Sequence, residues 1–236
     1  MITKEVIQKA ITKLSEKRKL FWSEADFQFS FALVLHSVLP PSAKTYLERP
    51  IAEILSVQQE DNNTKNRKKF YVDIWIQIDG TVYPIELKYG TKEQEIADWD
   101  GKTIKTVNQA AYDITRFGYL FDIHRIEQIK KCLSSREDLK FGRGFAILLT
   151  NDANYYQAPK QNFSQTRDAL FRLHERTNGE ALPTKVKWNY NGDEKHWTKT
   201  QYPYNVKFDL PSNFNLDWIV YLQDTNLRYL LNTIEP

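Results

Sequence analysis

The dipeptide Asp79-Gly80 lies between two runs of alternating apolar residues, 70–78 and 81–88. Such a dipeptide predicts a two-residue hairpin turn. The turn constrains the chain strongly, because slipping the register by one residue would move every side chain to the opposite face. Counting outward pairs Ile78 with Thr81, Ile74 with Ile85 and Asp73 with Glu86. Val72, Ile74, Ile76 and Ile78 then share a core face with Tyr83, Ile85 and Leu87. Asp73, Trp75 and Gln77 share the other face with Val82, Pro84, Glu86 and Lys88. Pro84 is compatible, since its missing N–H points away from the partner strand in this register.

In this alternation Asp73 and Glu86 form a non-hydrogen-bonded pair, which brings Cβ atoms to about 4.5–5.5 Å. Like charges directly opposite are destabilising, so such a pair calls for a cation or a shared proton between them. Lys88 lies two residues along the same face. Two carboxylates suit Mg²⁺, with Mn²⁺ as a substitute, because such ions take oxygen ligands and keep several waters. The plain alternative is two acids on a solvated sheet face with Lys88 as their counter-charge.

Around the hairpin the spacing predicts a helix over 3–15 and a second over 23–38. Ser23 caps the second helix, Asp26 stands three residues on, and Pro40-Pro41 stops it. Strands are expected over 44–49 and 51–58. An exposed loop follows with the bases Lys65, Arg67, Lys68 and Lys69. A long helix is expected over 103–120, broken at Gly118 and resumed to Cys132, followed by a buried strand over 144–150. Further on, a helical piece over 164–176 and strands over 184–190, 204–210, 217–222 and 227–233 complete the reading.

Composition narrows the function classes. The 33 Lys and Arg against 30 Asp and Glu leave a formal charge of +3, and 236 residues suffice for one large domain or a domain with an appendage. No apolar run approaches the ~20 residues of a membrane helix. A single cysteine, Cys132, excludes an internal disulfide framework and a multi-cysteine zinc site. Together with a start that lacks a signal-peptide pattern, this points to a cytoplasmic protein without a membrane partner. The four histidines are scattered, and there is no Gly-x-Ser-x-Gly elbow or phosphate-cradling glycine loop. Trp188, Tyr190, Trp197, Tyr202 and Tyr204 mix with Lys185, Lys187, Lys195 and Lys199, a pattern that serves either strand packing or base stacking.

Tyr71-Val72-Asp73 followed by Ile85-Glu86-Leu87-Lys88 resembles the PD-(D/E)XK nuclease superfamily. The element order over about residues 20–150 is similar to that superfamily's core. The resemblance implies an α/β (α+β) fold with a restriction-endonuclease-like core in the order αβββαβ. With the nuclease core that it implies set at 21–150, the chain divides into a basic N-terminal helix (1–20), that core, and a β-rich C-terminal extension packed on the core (151–236). The resemblance further implies a Mg²⁺-dependent nuclease acting on nucleic acid, DNA in preference. Asp73, Glu86 and the Leu87 carbonyl would hold the ion, and Lys88 would position or activate the attacking water. Glu24 would support the ion or its waters. Gln109, in the stretch Gln109-Ala110-Ala111-Tyr112, would orient the site or the substrate backbone. Tyr112 and Arg116 on the same stripe, with Lys65, Arg67, Lys68 and Lys69, would contact the nucleic acid. A two-fold dimer or a larger defence or repair complex fits such an enzyme. One departure stands: Val72 occupies the place of the motif's leading proline. The alternative is a catalytically silent nucleic-acid-binding or protein-interaction module on the same scaffold.

Overall fold

The structure, a computed structural model, describes residues 1–51, 71–109, 111–159, 164–176, 180–190 and 195–236. The chain begins with helices α1 (Lys4–Ser15) and α2 (Glu24–His36). Ser23 caps α2 as expected, its Oγ accepting the Asp26 N–H at 3.1 Å, while the Asp26 carboxylate reaches back to the Trp22 N–H at 2.9 Å. Strands β1 (Lys44–Pro50), β2 (Tyr71–Ile78) and β3 (Thr81–Gly90) follow, then a small hairpin of β4 (Gln94–Ala97) and β5 (Thr103–Thr106). Helix α3 (Tyr112–Leu133) leads to β6 (Lys140–Phe141), β7 (Gly144–Thr150) and the short α4 (Ala153–Tyr156). A largely irregular stretch carries β8 (Lys185–Val186) and β9 (Phe208–Asp209). The chain ends in β10 (Trp218–Leu222) and β11 (Leu227–Ile234).

One mixed sheet in the order β1-β2-β3-β7-β11-β10, with β6 also on β3, forms the middle layer. Only β6 and β7 run parallel to β3; the other neighbours are antiparallel. The β2–β3 register is the expected one from Ile78 on Thr81 to Ile74 on Ile85, but the expected pairing of Asp73 with Glu86 is absent, because the ladder ends there and Asp73 Oδ2 accepts the Leu87 N–H instead. Asp79 and Gly80 have φ of 48° and 77°, the doubly left-handed turn whose twist matches a hairpin. Pro84 faces the gap between the β6 and β7 pairings, so its missing N–H costs no ladder bond.

Helices cover both faces. Ile7, Ile11 and Leu14 of α1 and Phe27, Phe31 and Leu35 of α2 pack on Ile74, Ile85 and Ile147. On the other face Phe117, Leu120 and Ile123 of α3 pack on Ala146, Leu148 and Leu230, and Ile129 and Leu133 join Trp75 and Val82. The face read as polar is therefore buried under α3. Val72, expected beside Ile74, belongs to this second cluster, past the end of the β2–β3 ladder.

Other expectations change. The helix expected over 103–120 begins only at Tyr112, because Thr103, Ile104 and Thr106 are β-branched and alternate exposed with buried along β5. The helix then runs through Gly118 without a break. The piece over 164–176 holds a single 3₁₀ turn, Ala169–Phe171. The strands expected over 184–190 and 204–210 shrink to two residues each, since their aromatics pack beneath α3: Trp188 stacks on Phe117 at 5.2 Å. The strands over 217–222 and 227–233 are present, and they extend the main sheet rather than form a separate layer. The strand expected over 51–58 lies outside the described residues, apart from Ile51. No helix among the described residues is long and apolar enough to cross a membrane.

Helix α3 and β7 meet closely at Gly144, where an added Cβ would lie 2.2 Å from Ile126 Cγ2. Gly144→Ala is expected to lower stability by about 1–3 kcal/mol through overpacking, read by urea or thermal unfolding. Unchanged stability would contradict this close approach.

Candidate active site

The site begins where β2 leaves β3. Beyond Ile74 and Ile85 the ladder ends, while β3 stays paired with β7 as far as Gly90. The exposed edge of β3 then needs other acceptors for its N–H groups. Leu87 N–H donates to Asp73 Oδ2 at 2.6 Å, and Tyr89 N–H donates to Glu24 Oε2 at 2.9 Å. Two carboxylates, one from β2 and one from the first turn of α2, thus replace a strand. The Asp73 carbonyl is held by Gln28 Nε2 at 2.7 Å, and the same amide reaches Glu48 Oε1 at 2.8 Å.

Lys88 leans over α3 at Gly118, where its Cε lies 3.5 Å from the place a Cβ would take. Its Nζ stands 3.0 Å from Asp122 Oδ2 and 3.8 Å from Glu24 Oε1, and donates to the Leu87 carbonyl at 3.2 Å. Arg125, one turn beyond Asp122 on α3, places Nη2 2.5 Å from Glu86 Oε1 and 3.2 Å from Asp122 Oδ1. The sequence reading names neither Asp122 nor Arg125. Their i, i+3 spacing is a signal, but it recurs on any helix surface.

Four carboxylates (Glu24, Asp73, Glu86, Asp122) therefore face two cations (Lys88, Arg125), an excess of two negative charges. Most of the cluster is shielded from water: Glu86 is 1% exposed and Asp122 4%. Burial is the main reason the Asp73 carboxyl is pushed up to about 6; Asp122 and Glu24 add to this, while Lys88 and the Leu87 N–H oppose it. Glu86 is likewise raised well above the ordinary range by burial, with Arg125 opposing and Asp73 and Asp122 adding. Burial alone would lower the Lys88 pKa, yet Asp122, Glu24, Asp73 and Glu86 outweigh it and hold the ammonium above its ordinary value.

Glu86 Oε2 is buried without a hydrogen-bond partner. A buried unpaired carboxylate oxygen beside a two-charge excess is what a divalent cation would relieve. Among the described residues no three His, Cys, Asp or Glu side chains form a ready metal cage. Mg²⁺ does not require one, since one or two carboxylates with waters suffice. Asp73, Glu86 and the Leu87 carbonyl fit that modest donor set.

The remaining expected residues are placed differently. Gln109 is exposed in the loop before α3 rather than on a helix, its N–H donating to the Thr91 carbonyl at 2.9 Å. Tyr112 opens α3 against Tyr155, ring centroids 5.7 Å apart. Arg116 is 2% exposed, with Nη1 2.5 Å from Asp168 Oδ2 and Nη2 donating to the Asn154 carbonyl at 2.6 Å. It ties the C-terminal segment to α3, and so does not present a cation to a phosphate. Lys65, Arg67, Lys68 and Lys69 lie outside the described residues. Trp188 is buried, its Nε1 donating to the Tyr204 carbonyl at 2.9 Å, so packing rather than base stacking accounts for it. No protein-family model, curated protein or solved structure matches the chain.

Asp73 generates a stability prediction. Its native pKa is raised, so the native state binds more protons than the unfolded state between about pH 4 and 6. Its contribution to stability is full below that window and is lost as pH rises through it. Asp73→Asn keeps an oxygen for the Leu87 N–H and removes the charge. Its melting temperature is expected to exceed wild type at pH 7, with the gap narrowing towards pH 4. A gap independent of pH would refute the assignment. By contrast, Arg125→Met leaves Glu86 buried without its counter-charge and is expected to cost about 3–5 kcal/mol in urea unfolding.

Proposed function

We propose that the chain is a metal-dependent nuclease with a restriction-endonuclease-like core, hydrolysing phosphodiester bonds of nucleic acid, DNA in preference. The observation that carries the reading is the excess of two formal negative charges at the split of β2 from β3, with Glu86 Oε2 buried and unpaired inside it. The order of α2, the β2–β3 hairpin, α3 and β7 supports it, as does the resemblance of the Asp73, Glu86 and Lys88 pattern to PD-(D/E)XK enzymes.

In this reading Asp73, Glu86 and the Leu87 carbonyl hold Mg²⁺ or Mn²⁺. The cation, when bound, supplies Lewis-acid polarisation of a phosphoryl oxygen and offsets its charge. Lys88 acts as a fixed ammonium: the surrounding carboxylates keep its proton, so it donates towards developing negative charge and does not serve as a base. Asp122 holds that ammonium in place. Glu24, with its side chain 47% exposed, is the carboxylate nearest bulk water and orients the water that attacks. Arg125 on Glu86 favours a second reading, since it already supplies part of the positive charge the cluster needs. In that reading the scaffold binds nucleic acid without cutting it.

The test is incubation with single-stranded, duplex and branched DNA, and with RNA, in Mg²⁺ or Mn²⁺. Wild type is expected to cleave at least one of these. Asp73→Ala and Lys88→Ala, checked for folding by circular dichroism, are each expected to lose about 10²–10³-fold in rate. Cleavage that persists in both variants rejects this site. Binding without cleavage on every substrate selects the silent module.

A further inference from the structure

Trp22 and Trp99 are 59% and 54% exposed, and both line one cavity of about 380 Å³ beside α1 and α2, together with Lys17, Arg18, Asp26 and Asp98. Trp99 sits in the turn of the β4–β5 hairpin, where Gly101 takes a φ of 80°. The turn is clamped from several sides. Asp98 Oδ1 accepts the Lys19 N–H at 3.0 Å, and Asp98 Oδ2 stands 3.4 Å from Arg18 Nε. Trp99 Nε1 donates to the Ser15 carbonyl at 3.2 Å, and Lys19 Nζ stands 4.1 Å over the Trp99 ring. On the other wall, the Trp22 N–H is fixed by Asp26, itself paired with Arg18 at 2.6 Å. The Trp99 indole is thus fixed by its neighbours and the Trp22 backbone by Asp26, and both rings stay open to water, although their ordinary place is against an apolar surface.

The charges around the cavity narrow the ligand. Arg18 and Lys102 are paired with acids within the lining, Arg18 with Asp26 and Lys102 with Asp100 at 3.0 Å. Lys17 is exposed, and Lys9, Lys13 and Lys17 recur every fourth residue up to the cavity, with Glu5 and Glu16 the acids beside them. Lys9 and Lys13 stand one turn apart on α1, which costs the helix stability, and Lys17 follows just past its end; an anionic strand alongside would offset these like charges. Trp22 is two residues before Glu24, so the wall lies within about 7 Å of chain from the candidate active site.

We infer that the Trp22–Trp99 cavity is a stacking site for an unpaired base of single-stranded nucleic acid, with the adjoining phosphates following Lys17 and Lys13. The inference takes its ligand class from the nuclease reading and adds strand preference to it. Exposed indoles beside lysines bind single strands because every base has a flat face and every linkage a charge. A base within an intact duplex is already stacked and cannot enter between protein walls without being extruded.

The experiment is fluorescence anisotropy of labelled oligo(dT), oligo(rU) and a duplex of equal length, in EDTA so that nothing is cut. Trp22→Ala and Trp99→Ala are each expected to weaken oligo(dT) or oligo(rU) binding about 5–150-fold, the range of one lost base–aromatic stack. Duplex binding stays as in wild type. Trp22→Phe retains most of the affinity, and Trp197→Ala, at an exposed tryptophan outside the cavity lining, changes nothing. The two oligonucleotides separate a DNA ligand from an RNA ligand. Thermal unfolding monitors folding; Trp22, with no hydrogen bond assigned to its indole, carries the test should Trp99→Ala loosen the hairpin. Alanine variants that bind single strands as wild type does, or that lose single-strand and duplex binding equally, overturn the inference. Asp73→Ala serves as the separate control for the active site. If cleavage depends on Asp73 while the tryptophan variants bind normally, this inference alone falls. If tryptophan-dependent binding stands while Asp73 proves irrelevant to cleavage, only the nuclease site falls.

Discussion

The Asp73 carboxylate on the Leu87 N–H is the interaction on which the site depends. It allows β2 to leave β3 after Ile74 without stranding a backbone donor in the interior. Glu24 repeats the device at Tyr89, which also fixes the start of α2 against the sheet. The opening between the strands is therefore lined with carboxylates for a structural reason. Both acids accept main-chain N–H groups through one oxygen and leave the other for further partners.

The second half of the site comes from α3. Asp122 and Arg125 connect Lys88 to Glu86 and convert two separate acid–base contacts into one network. Its charges do not cancel, and burial makes the imbalance costly. Burial, with neighbouring carboxylates adding to it, raises the acids at Asp73 and Glu86, and the same carboxylates hold up the Lys88 ammonium against burial. Perturbation of this kind by desolvation together with named charge partners is characteristic of functional sites.

Sequence reasoning worked best where chemistry is local. Turn geometry at Asp79-Gly80, capping by Ser23 and the apolar run of β7 are visible within a few residues. It worked least well where a helical spacing arose by accident. The helical spacing that continues back from Ile114 and Phe117 to Val107 suggests a longer helix, yet the β-branched residues just before Val107 form β5, and Gln109 falls in a loop. Arg116 read as a surface base because its partners, Asp168 and the Asn154 carbonyl, lie tens of residues away in sequence. Trp188, Tyr202 and Tyr204 read as strands or stacking surfaces because nothing local says that they join the cluster under α3.

By itself the sequence determined the hairpin and its register from Ile74–Ile85 to the turn, because a two-residue turn and a period of two leave one arrangement there. Only the tertiary structure decided that β2 departs at Asp73, that Glu86 is buried, and that α3 supplies Asp122 and Arg125. It also placed Trp99 beside Trp22 at the far end of a separate hairpin. Those outcomes follow from how distant helices and strands pack over a shared sheet, and no local period encodes which residue will stand opposite which across that distance.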